Sequence, residues 1–258
     1  MQIELFHVDA FTSQVFTGNP AGVCILDKWL PADLMQSIAS ENNLPETAFV
    51  IPEGPLFKIR WFTPGIEVDL CGHATLASAH VLFRHKNFTG SKIEFHSNSG
   101  LLTVEKNGDI LVLDFPARPP IPCTKPAGLH QALGQQPIEV LSARDYLVLF
   151  PSEEIIRKLK PDIALLSQLD KAVIVTARGK EVDFVSRFFA PTYGISEDPV
   201  TGSSHCTLIP YWSKQLSKST LVALQVSPRG GKLYCQDKID RVKIGGHAIT
   251  YLQGYFKV

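Results

Sequence analysis

Two uncharged segments restrict how this sequence can fold. One runs from Cys71 to Phe83 and the other from Pro199 to Trp212, and each opens with a small, glycine-containing turn. A helix that is apolar nearly all round is normally surrounded by other structure. Its first turn carries free backbone N–H groups and a partial positive charge, which suit an anion. We therefore predict two buried helices that begin near Gly72 and Gly202, each with its N-terminus facing a negative group.

The sequence before these two helices also repeats in the same order. Arg60–Pro64 parallels Arg187–Pro191, and Glu46–Ile51 parallels Asp170–Val175. The matched positions are Ala48 with Ala172, Pro64 with Pro191 and Gly72 with Gly202, at offsets of 124, 127 and 130. Three matched segments in one order predict a duplicated unit of about half the chain.

A proline-rich stretch marks the boundary that this repeat requires. Residues 116–126 contain five prolines, a composition typical of a linker. We predict an N-terminal lobe over 1–117 and a C-terminal lobe over 121–247, with a last strand at about 248–258 as the candidate to complete the first lobe. Strand and helix patterns occur in both. The predicted class is α+β, with a sheet rolled around one central helix in each lobe.

Composition excludes several kinds of partner. Lys and Arg total 25 and so do Asp and Glu, so the chain has no basic footprint for nucleic acid. No apolar run reaches membrane-spanning length, and the N-terminus lacks the basic and apolar regions of a signal peptide. Five scattered cysteines argue against a disulfide framework. We predict a cytoplasmic protein without nucleic-acid or membrane partners.

Glu46 is the first candidate for chemistry. It follows a tight turn at the mouth of a predicted strand, where an isolated carboxylate is most often solvated. Its neighbours Leu44, Ala48 and Phe49 are apolar, which favours partial burial. Burial raises a carboxyl pKa toward the range useful for proton transfer. The sequence alone leaves both interpretations open, a solvated side chain or a general acid/base.

The turn before the first helix contains two further candidates. His73 is either a capping or core histidine, or a hydrogen-bond donor and proton relay facing the anion. The repeat places Thr201 opposite Cys71, so a symmetric two-thiol mechanism is unavailable, and we predict that Cys71 is a packing residue. These residues, with His205 and Cys206, lack zinc-ligand spacing, and no phosphate-binding loop is present. We predict no metal and no cofactor.

Polar residues at two other turns are candidates for binding a substrate. Asp198, before Pro199, sets a turn, caps a helix or accepts from a substrate amine. Gly202 and Ser203 supply exposed amides and a hydroxyl at the second helix start. Asn19 lies in a predicted turn over 17–22, which is either a plain connection or a backbone-rich loop beside a ligand.

Five motifs in combination resemble the PhzF-like isomerase family of phenazine biosynthesis. They are Asp9–Thr12, Gly18–Ala21, Asn43–Phe49, Cys71–Thr75 and Glu197–Ser203, and the resemblance runs from residue 3 to the C-terminus. Pro45 departs from the family pattern, where Ser is more usual, and this bears on loop shape. The family is similar in fold to diaminopimelate epimerase, with two pseudo-symmetric lobes and an active site between them.

The resemblance implies a cofactor-independent, homodimeric isomerase that moves a proton between carbons of a small carboxylate-bearing substrate. Glu46 would be the general acid/base in the inter-lobe cleft, with His73 and Asp198 as its catalytic partners. The substrate-binding residues would be Asn19, Gly72, Ala74, Gly202 and Ser203. Two alternatives stay open: a non-catalytic small-molecule binding or protein-interaction module, and a one-base amino-acid racemase or epimerase. Glu46 favours chemistry, because binding an anion gains nothing from another negative charge.

Overall fold

The computed structural model describes residues 1–258 and divides into two compact units. Unit 1 comprises Met1–Asp114 and Gly245–Val258, and unit 2 comprises Phe115–Ile244. No helix of the protein is both long enough and apolar enough to cross a membrane.

Unit 1 is built from strands and two helices. The helices are α1 (Ala32–Asn42) and α2 (Gly72–His85). The strands are β1 (Gln2–Ala10), β2 (Asn19–Ile25), β3 (Glu46–Glu53), β4 (Leu56–Phe62), β5 (Glu67–Val68), β6 (Lys92–Ser97), β7 (Gly100–Asn107), β8 (Ile110–Pro116) and β18 (Ala248–Lys257). Residues 19–22, which the sequence predicted to be part of a turn, are the first half of β2. That prediction was wrong because Gly22 and Pro20 pair with β1 in a regular antiparallel ladder.

Unit 2 has the same kinds of element and more short helices. Its helices are α3 (Leu129–Leu133), α4 (Glu153–Lys158), α5 (Ile163–Leu166) and α6 (Gly202–Leu216), with a 3-10 turn at Pro191–Tyr193. Its strands are β9 (Ile121–Pro122), β10 (Glu139–Ser142), β11 (Tyr146–Leu149), β12 (Val173–Arg178), β13 (Phe184–Ala190), β14 (Ile195–Asp198), β15 (Thr220–Gln225), β16 (Gly231–Asp237) and β17 (Arg241–Gly246).

The two units repeat one order of strand pairing. In unit 1, β2 and β3 are parallel, β3 and β4 antiparallel, β4 and β6 parallel, and β6 and β7 antiparallel. In unit 2, the pairs β11–β12, β12–β13, β13–β15 and β15–β16 have the same four orientations in the same order. The predicted α+β fold with two pseudo-symmetric lobes is therefore confirmed.

The strand register corrects one predicted match. Trp61 pairs with Ala48, whereas Phe188, which lies at the equivalent position of β13, pairs with Ile174. Ala48 is therefore equivalent to Ile174 and not to Ala172, as an offset of 124 predicted. The same two-residue shift makes Ala172 the counterpart of Glu46. The error arose because short apolar strands look alike when they slide by two positions, since side chains alternate with a period of two.

Helix α2 is buried by the strands of unit 1, and its two buried hydroxyl groups are satisfied within the helix. It begins at Gly72 as predicted, and nine of its residues are buried. Thr75 Oγ1 donates to the carbonyl of Cys71 at 2.5 Å, and Ser78 Oγ donates to that of Ala74 at 2.7 Å. Such bonds to the carbonyl four residues earlier let hydroxyl groups enter an apolar environment without an unsatisfied donor.

Helix α6 is buried in the same way and begins at Gly202, as predicted. Trp212 stacks on Phe184 of β13, with ring centroids 5.7 Å apart, and its indole N–H donates to Thr176 Oγ1 of β12 at 2.9 Å. His205 Nδ1 lies 2.7 Å from the carbonyl of Thr201, so the ring takes the place that the Thr75 hydroxyl has in α2.

An arginine–glutamate pair occurs at the same place in both units. Arg60 of β4 bonds Glu67 of β5 through Nε and Nη2 at 2.7 and 2.6 Å. Arg187 of β13 bonds Glu197 of β14 in the same bidentate way at 2.7 and 2.8 Å. Each guanidinium also lies over a phenylalanine two residues later, at 5.2 and 4.9 Å from the ring centroid. Each pair therefore joins the short strand before the central helix to the sheet.

The two pairs differ in burial, and we expect them to differ in energy. The Arg187 side chain is 10% exposed against 26% for Arg60, and Arg187 Nη1 also donates to the carbonyls of Ile156 and Leu159. We predict that Arg187→Gln lowers the free energy of unfolding by about 3–5 kcal/mol, because it leaves a carboxylate and two carbonyls without their donor. Arg60→Gln should cost about 1 kcal/mol. Urea unfolding followed by circular dichroism measures both, and equal losses would contradict the prediction.

Candidate active site

Glu46 lies at the first position of β3, immediately after α1 and a tight turn. Asn43 ends α1 in the left-handed conformation with φ of 47°, and the turn that follows leads directly into the strand. In the sheet Glu46 is the neighbour of Ala21 in β2. Its side chain is 12% exposed, so it is not the solvated carboxylate of the first interpretation.

His73 lies against this carboxylate at the start of α2. Its side chain is 6% exposed, and Nε2 is 3.0 Å from Glu46 Oε2. The distance is that of an ion pair, but the ring N–H is not aligned for a hydrogen bond, and neither atom has another partner within the protein. Both atoms therefore keep the capacity to bond a group that enters between or beside them.

The other nitrogen of the His73 ring is held from the opposite side. Asn19 Nδ2 lies 3.2 Å from Nδ1, and Cys71 Sγ lies 3.5 Å from the same atom. Asn19 is fully buried at the start of β2. Gly18 before it has φ of 70°, and a Cβ there would lie 2.3 Å from the carbonyl oxygen of Ala10, so only glycine fits. Asn19 thus supports the histidine ring.

The charges in this cluster follow from burial and from the carboxylate. Burial alone would lower the pKa of His73, whereas Cys71 and Glu46 raise it, and the net direction is well above the ordinary value. Burial raises the pKa of the Cys71 thiol to about 11, so the thiol is protonated at neutral pH. The anion that raises the pKa of His73 at neutral pH is therefore Glu46 and not the thiol.

Glu46, Cys71 and His73 each bring one donor atom within 4.8 Å of the others, which raises the question of a metal. The thiol approaches Nδ1 and the carboxylate approaches Nε2. A metal ion takes one nitrogen of a histidine, so either the thiol or the carboxylate would have to move to join it. The arrangement fits a proton-transfer pair better than a metal centre, and the absence of a metal stays a prediction.

In unit 2 the predicted residues Asp198, Gly202 and Ser203 lie at the end of β14 and the start of α6. The Thr201 hydroxyl donates a short hydrogen bond to Asp198 Oδ2. Gln225 Nε2 donates to the Asp198 carbonyl at 2.8 Å, and Gln225 Oε1 accepts from the Thr201 amide at 2.9 Å. The turn before α6 is therefore fixed by β15.

Neither central helix has a side-chain cap. Cys71 and Thr201 occupy the capping positions without bonding the first turn, whereas Ser152 and Asp162 cap the short helices α4 and α5. The predicted amide donors at Gly72, Ala74, Gly202 and Ser203 belong to these uncapped turns. A buried helix start without a cap has free N–H groups for an outside acceptor.

The structure thus joins three of the eight predicted site residues, Glu46, His73 and Asn19, in one set of side-chain contacts, and Gly72 and Ala74 flank His73 in α2. The roles of Asp198, Gly202 and Ser203 stay predictions. Sequence reasoning missed Gln225, which is 24 positions from Thr201 in β15 and carries no local signal. It also missed that Cys71 contacts the His73 ring, although the spacing of two residues was visible.

Comparison with known proteins agrees with this geometry. The family model for phenazine biosynthesis-like proteins matches residues 8–254. A protein of Pseudomonas aeruginosa, named as an uncharacterized isomerase, is 54% identical over 260 residues, which is 100% of both chains. A crystal structure of a PhzF-family phenazine biosynthesis protein from Enterococcus faecalis is 48% identical, covers 100% of both chains and has a TM-score of 0.98. A hydroxyproline epimerase from Agrobacterium vitis, 10% identical over 98% of this chain and 92% of its own, shares the fold with a TM-score of 0.61.

The fold and its relatives define an isomerase with a diaminopimelate epimerase-like architecture. Within that class, the chain belongs to the phenazine biosynthesis-like PhzF family.

The ion pair predicts how His73 titrates. In Glu46→Gln the carboxylate charge is lost, so the midpoint of the His73 titration, followed by NMR of the ring signals, should fall. His205 is the matched control, because it is equally buried, its pKa is lowered to about 4 by burial, and it has no carboxylate partner.

The sign of the accompanying stability change is fixed by the same shift. Because the pKa of folded His73 is raised, its stabilising contribution is complete below the unfolded pKa of about 6.5 and is lost as pH rises through the folded value. An unchanged His73 midpoint in Glu46→Gln would show that the pair is not coupled.

Proposed function

We propose that this protein moves a proton between carbons of a small carboxylate-bearing substrate, with Glu46 as the general acid/base. The observation that carries the proposal is the largely buried Glu46–His73 pair at the uncapped start of α2. A largely buried carboxylate beside a histidine is a pair of groups able to accept and stabilise a proton without a cofactor.

In the proposed reaction Glu46 acts first as a base and then as an acid. Glu46 takes a proton from a carbon next to a stabilising group of the substrate. The His73 N–H faces the same place and stabilises the negative charge that develops there. Glu46 then returns the proton to a second carbon, so that atoms and electrons balance without an oxidant. The first-turn amides at Gly72 and Ala74 are proposed to bind the substrate carboxylate, each helix start contributing about 0.3–1 kcal/mol, or up to about 2 when partly buried.

Asp198, Gly202 and Ser203 of unit 2 are proposed as further substrate contacts, with Asp198 orienting a polar or cationic group. Their roles rest on the family motif and on the uncapped start of α6. Asp198→Asn keeps the size of the side chain and its bond from Thr201, so it separates the charge from the shape of this turn.

Inversion at one carbon is the weaker enzymatic candidate. Racemisation or epimerisation requires proton delivery on the opposite face of the substrate from the base. Cys71 is the other titratable group in contact with His73, and burial raises the pKa of its thiol to about 11, which makes it a weak acid for that delivery. Thr201, the counterpart of Cys71 in unit 2, offers no second acid.

The test uses a panel of small amino acids and cyclic unsaturated acids in deuterated water, with NMR to locate the carbon that takes up deuterium. Once a substrate is found, Glu46→Gln should lose turnover by about 10²–10⁴-fold, because the amide cannot accept a proton. Glu41→Gln, an exposed change on α1, is the matched control and should be unaffected. Near-normal exchange by a folded Glu46→Gln protein would rule out the assigned base.

A further inference from the structure

A second cavity lies in unit 1 beside the C-terminal half of α2. Its volume is about 570 Å³, and its walls include His80, Arg84 and His85 from α2, Lys106 from β7 and Thr250 from β18. His80 follows His73 by seven residues, which is about 10 Å along the helix axis. Neither His73 nor Glu46 lines the cavity, so it is separate from the candidate active site.

The cavity contains two cations without an ion-pair partner. Neither the Arg84 guanidinium nor the Lys106 ammonium pairs with a protein carboxylate, and Lys106 Nζ lies 5.4 Å from the centroid of the Phe83 ring. Asp109 is the single acidic residue of the lining and is exposed. By contrast, Lys58, Arg60, Lys86 and Lys92 of the same unit each form an ion pair with a glutamate.

Two histidines converge on one hydroxyl in the same cavity. Nε2 of His80 and Nε2 of His85 lie 3.0 and 2.8 Å from Thr250 Oγ1. A hydroxyl donates one proton, so it donates to one ring and accepts from the other. Nδ1 of neither ring has a partner within the protein. In their neutral forms, the ring that accepts from Thr250 carries its proton on Nδ1 and can donate to a group in the cavity, whereas Nδ1 of the other ring can only accept.

Both rings are neutral at neutral pH. Burial, with His85 and Arg84, lowers the pKa of His80 to about 4. Burial and Arg84 also lower the pKa of His85, with Lys86 acting in the same direction and Glu4 against it. In this state the net charge of the lining is positive, because Arg84 and Lys106 outnumber Asp109. The partial negative charge at the end of α2 opposes an anion, but it is only about half an elementary charge.

We propose that this cavity binds a small phosphate ester, with Arg84 and Lys106 bonding the phosphate and the one Nδ1–H group of the His80 and His85 pair donating a further hydrogen bond to it. Paired cations suit a doubly charged oxyanion, whereas a single carboxylate would need only one. The volume is that of a small-molecule site, and the apolar side chains of Phe83, Leu111 and Ile249 line it beside the cations. The carbon body of the ester packs against this apolar wall.

The experiment is an NMR titration of the full-length protein with phenyl phosphate and with inorganic phosphate at pH 7.5, following the ring signals of the histidines. Sodium chloride at matched ionic strength controls for screening. We expect saturable shifts of His80 and His85, with phenyl phosphate binding at least threefold more tightly than inorganic phosphate. Arg84→Gln and Lys106→Gln should each weaken binding by about threefold or more, and the double variant by about tenfold. Lys28→Gln, an exposed lysine outside the cavity, makes the same charge change and should bind as the parent does.

Several results would overturn the proposal. Shifts that sodium chloride reproduces would show screening alone, and no saturation at tens of millimolar would show no site. Shifts at His73 instead of His80 and His85 would place the anion at the candidate active site. Equal affinities for phenyl phosphate and inorganic phosphate would show that the site does not recognise the ester group. Equal affinities of Lys106→Gln and Lys28→Gln for phenyl phosphate would show that Lys106 does not bind the phosphate.

Discussion

The burial of two helices whose first three turns carry no charged side chain is the constraint on which both units depend. Such a segment has no polar face for water, so a sheet must cover it, and its hydroxyl groups must find acceptors within the helix. In α2 the Thr75 and Ser78 hydroxyls bond carbonyls one turn earlier, and in α6 Ser204 and His205 bond that of Thr201. The backbone N–H groups in the first turn of each helix have no side-chain cap, and the candidate site lies at the first turn of α2. The same packing that stabilises the fold therefore positions His73 beside Glu46.

The two units share their strand pairing and helix starts, whereas the candidate site residues lie at positions where the units differ. The Arg–Glu pair, the uncapped helix start and the order of strand pairing occur in both units. The candidate residues do not: His73 corresponds to Ser203, Asp198 to Val68 and, by strand register, Glu46 to Ala172. A glutamate in one copy and an alanine at the matching position of the other fit the proposed reaction, in which one group both removes and returns the proton.

Much of this could be predicted from the sequence, for identifiable reasons. The helix starts at Gly72 and Gly202 were visible because glycine and an uncharged run mark them locally, and Arg60 and Arg187 stood at matched positions. What failed depended on pairing between distant residues. Asn19 was assigned to a turn because Gly-Asn-Pro-Ala-Gly is turn-like in isolation, yet pairing with β1 makes it a strand. The match of Ala48 with Ala172 failed because a two-residue slide preserves which face each side chain occupies. The Asn19–His73 and Gln225–Thr201 contacts join residues 54 and 24 positions apart, which no local pattern encodes.

The pairing of β1 with β18 has a consequence for biosynthesis. Nine residues of β1, from Gln2 to Ala10, are matched with β18 between Ala248 and Lys257. A ribosome makes β1 first and its partner only after all of residues 115–244 have emerged, at roughly 5–20 residues per second. Unit 2 is continuous in sequence, so its chain is complete before the last strand of unit 1 has been made. During that interval β1 has an unpaired edge, which is the kind of strand that associates with other chains. A nascent chain stalled before residue 248 would therefore expose this edge, so the period between synthesis and closure is when this protein most needs protection from aggregation.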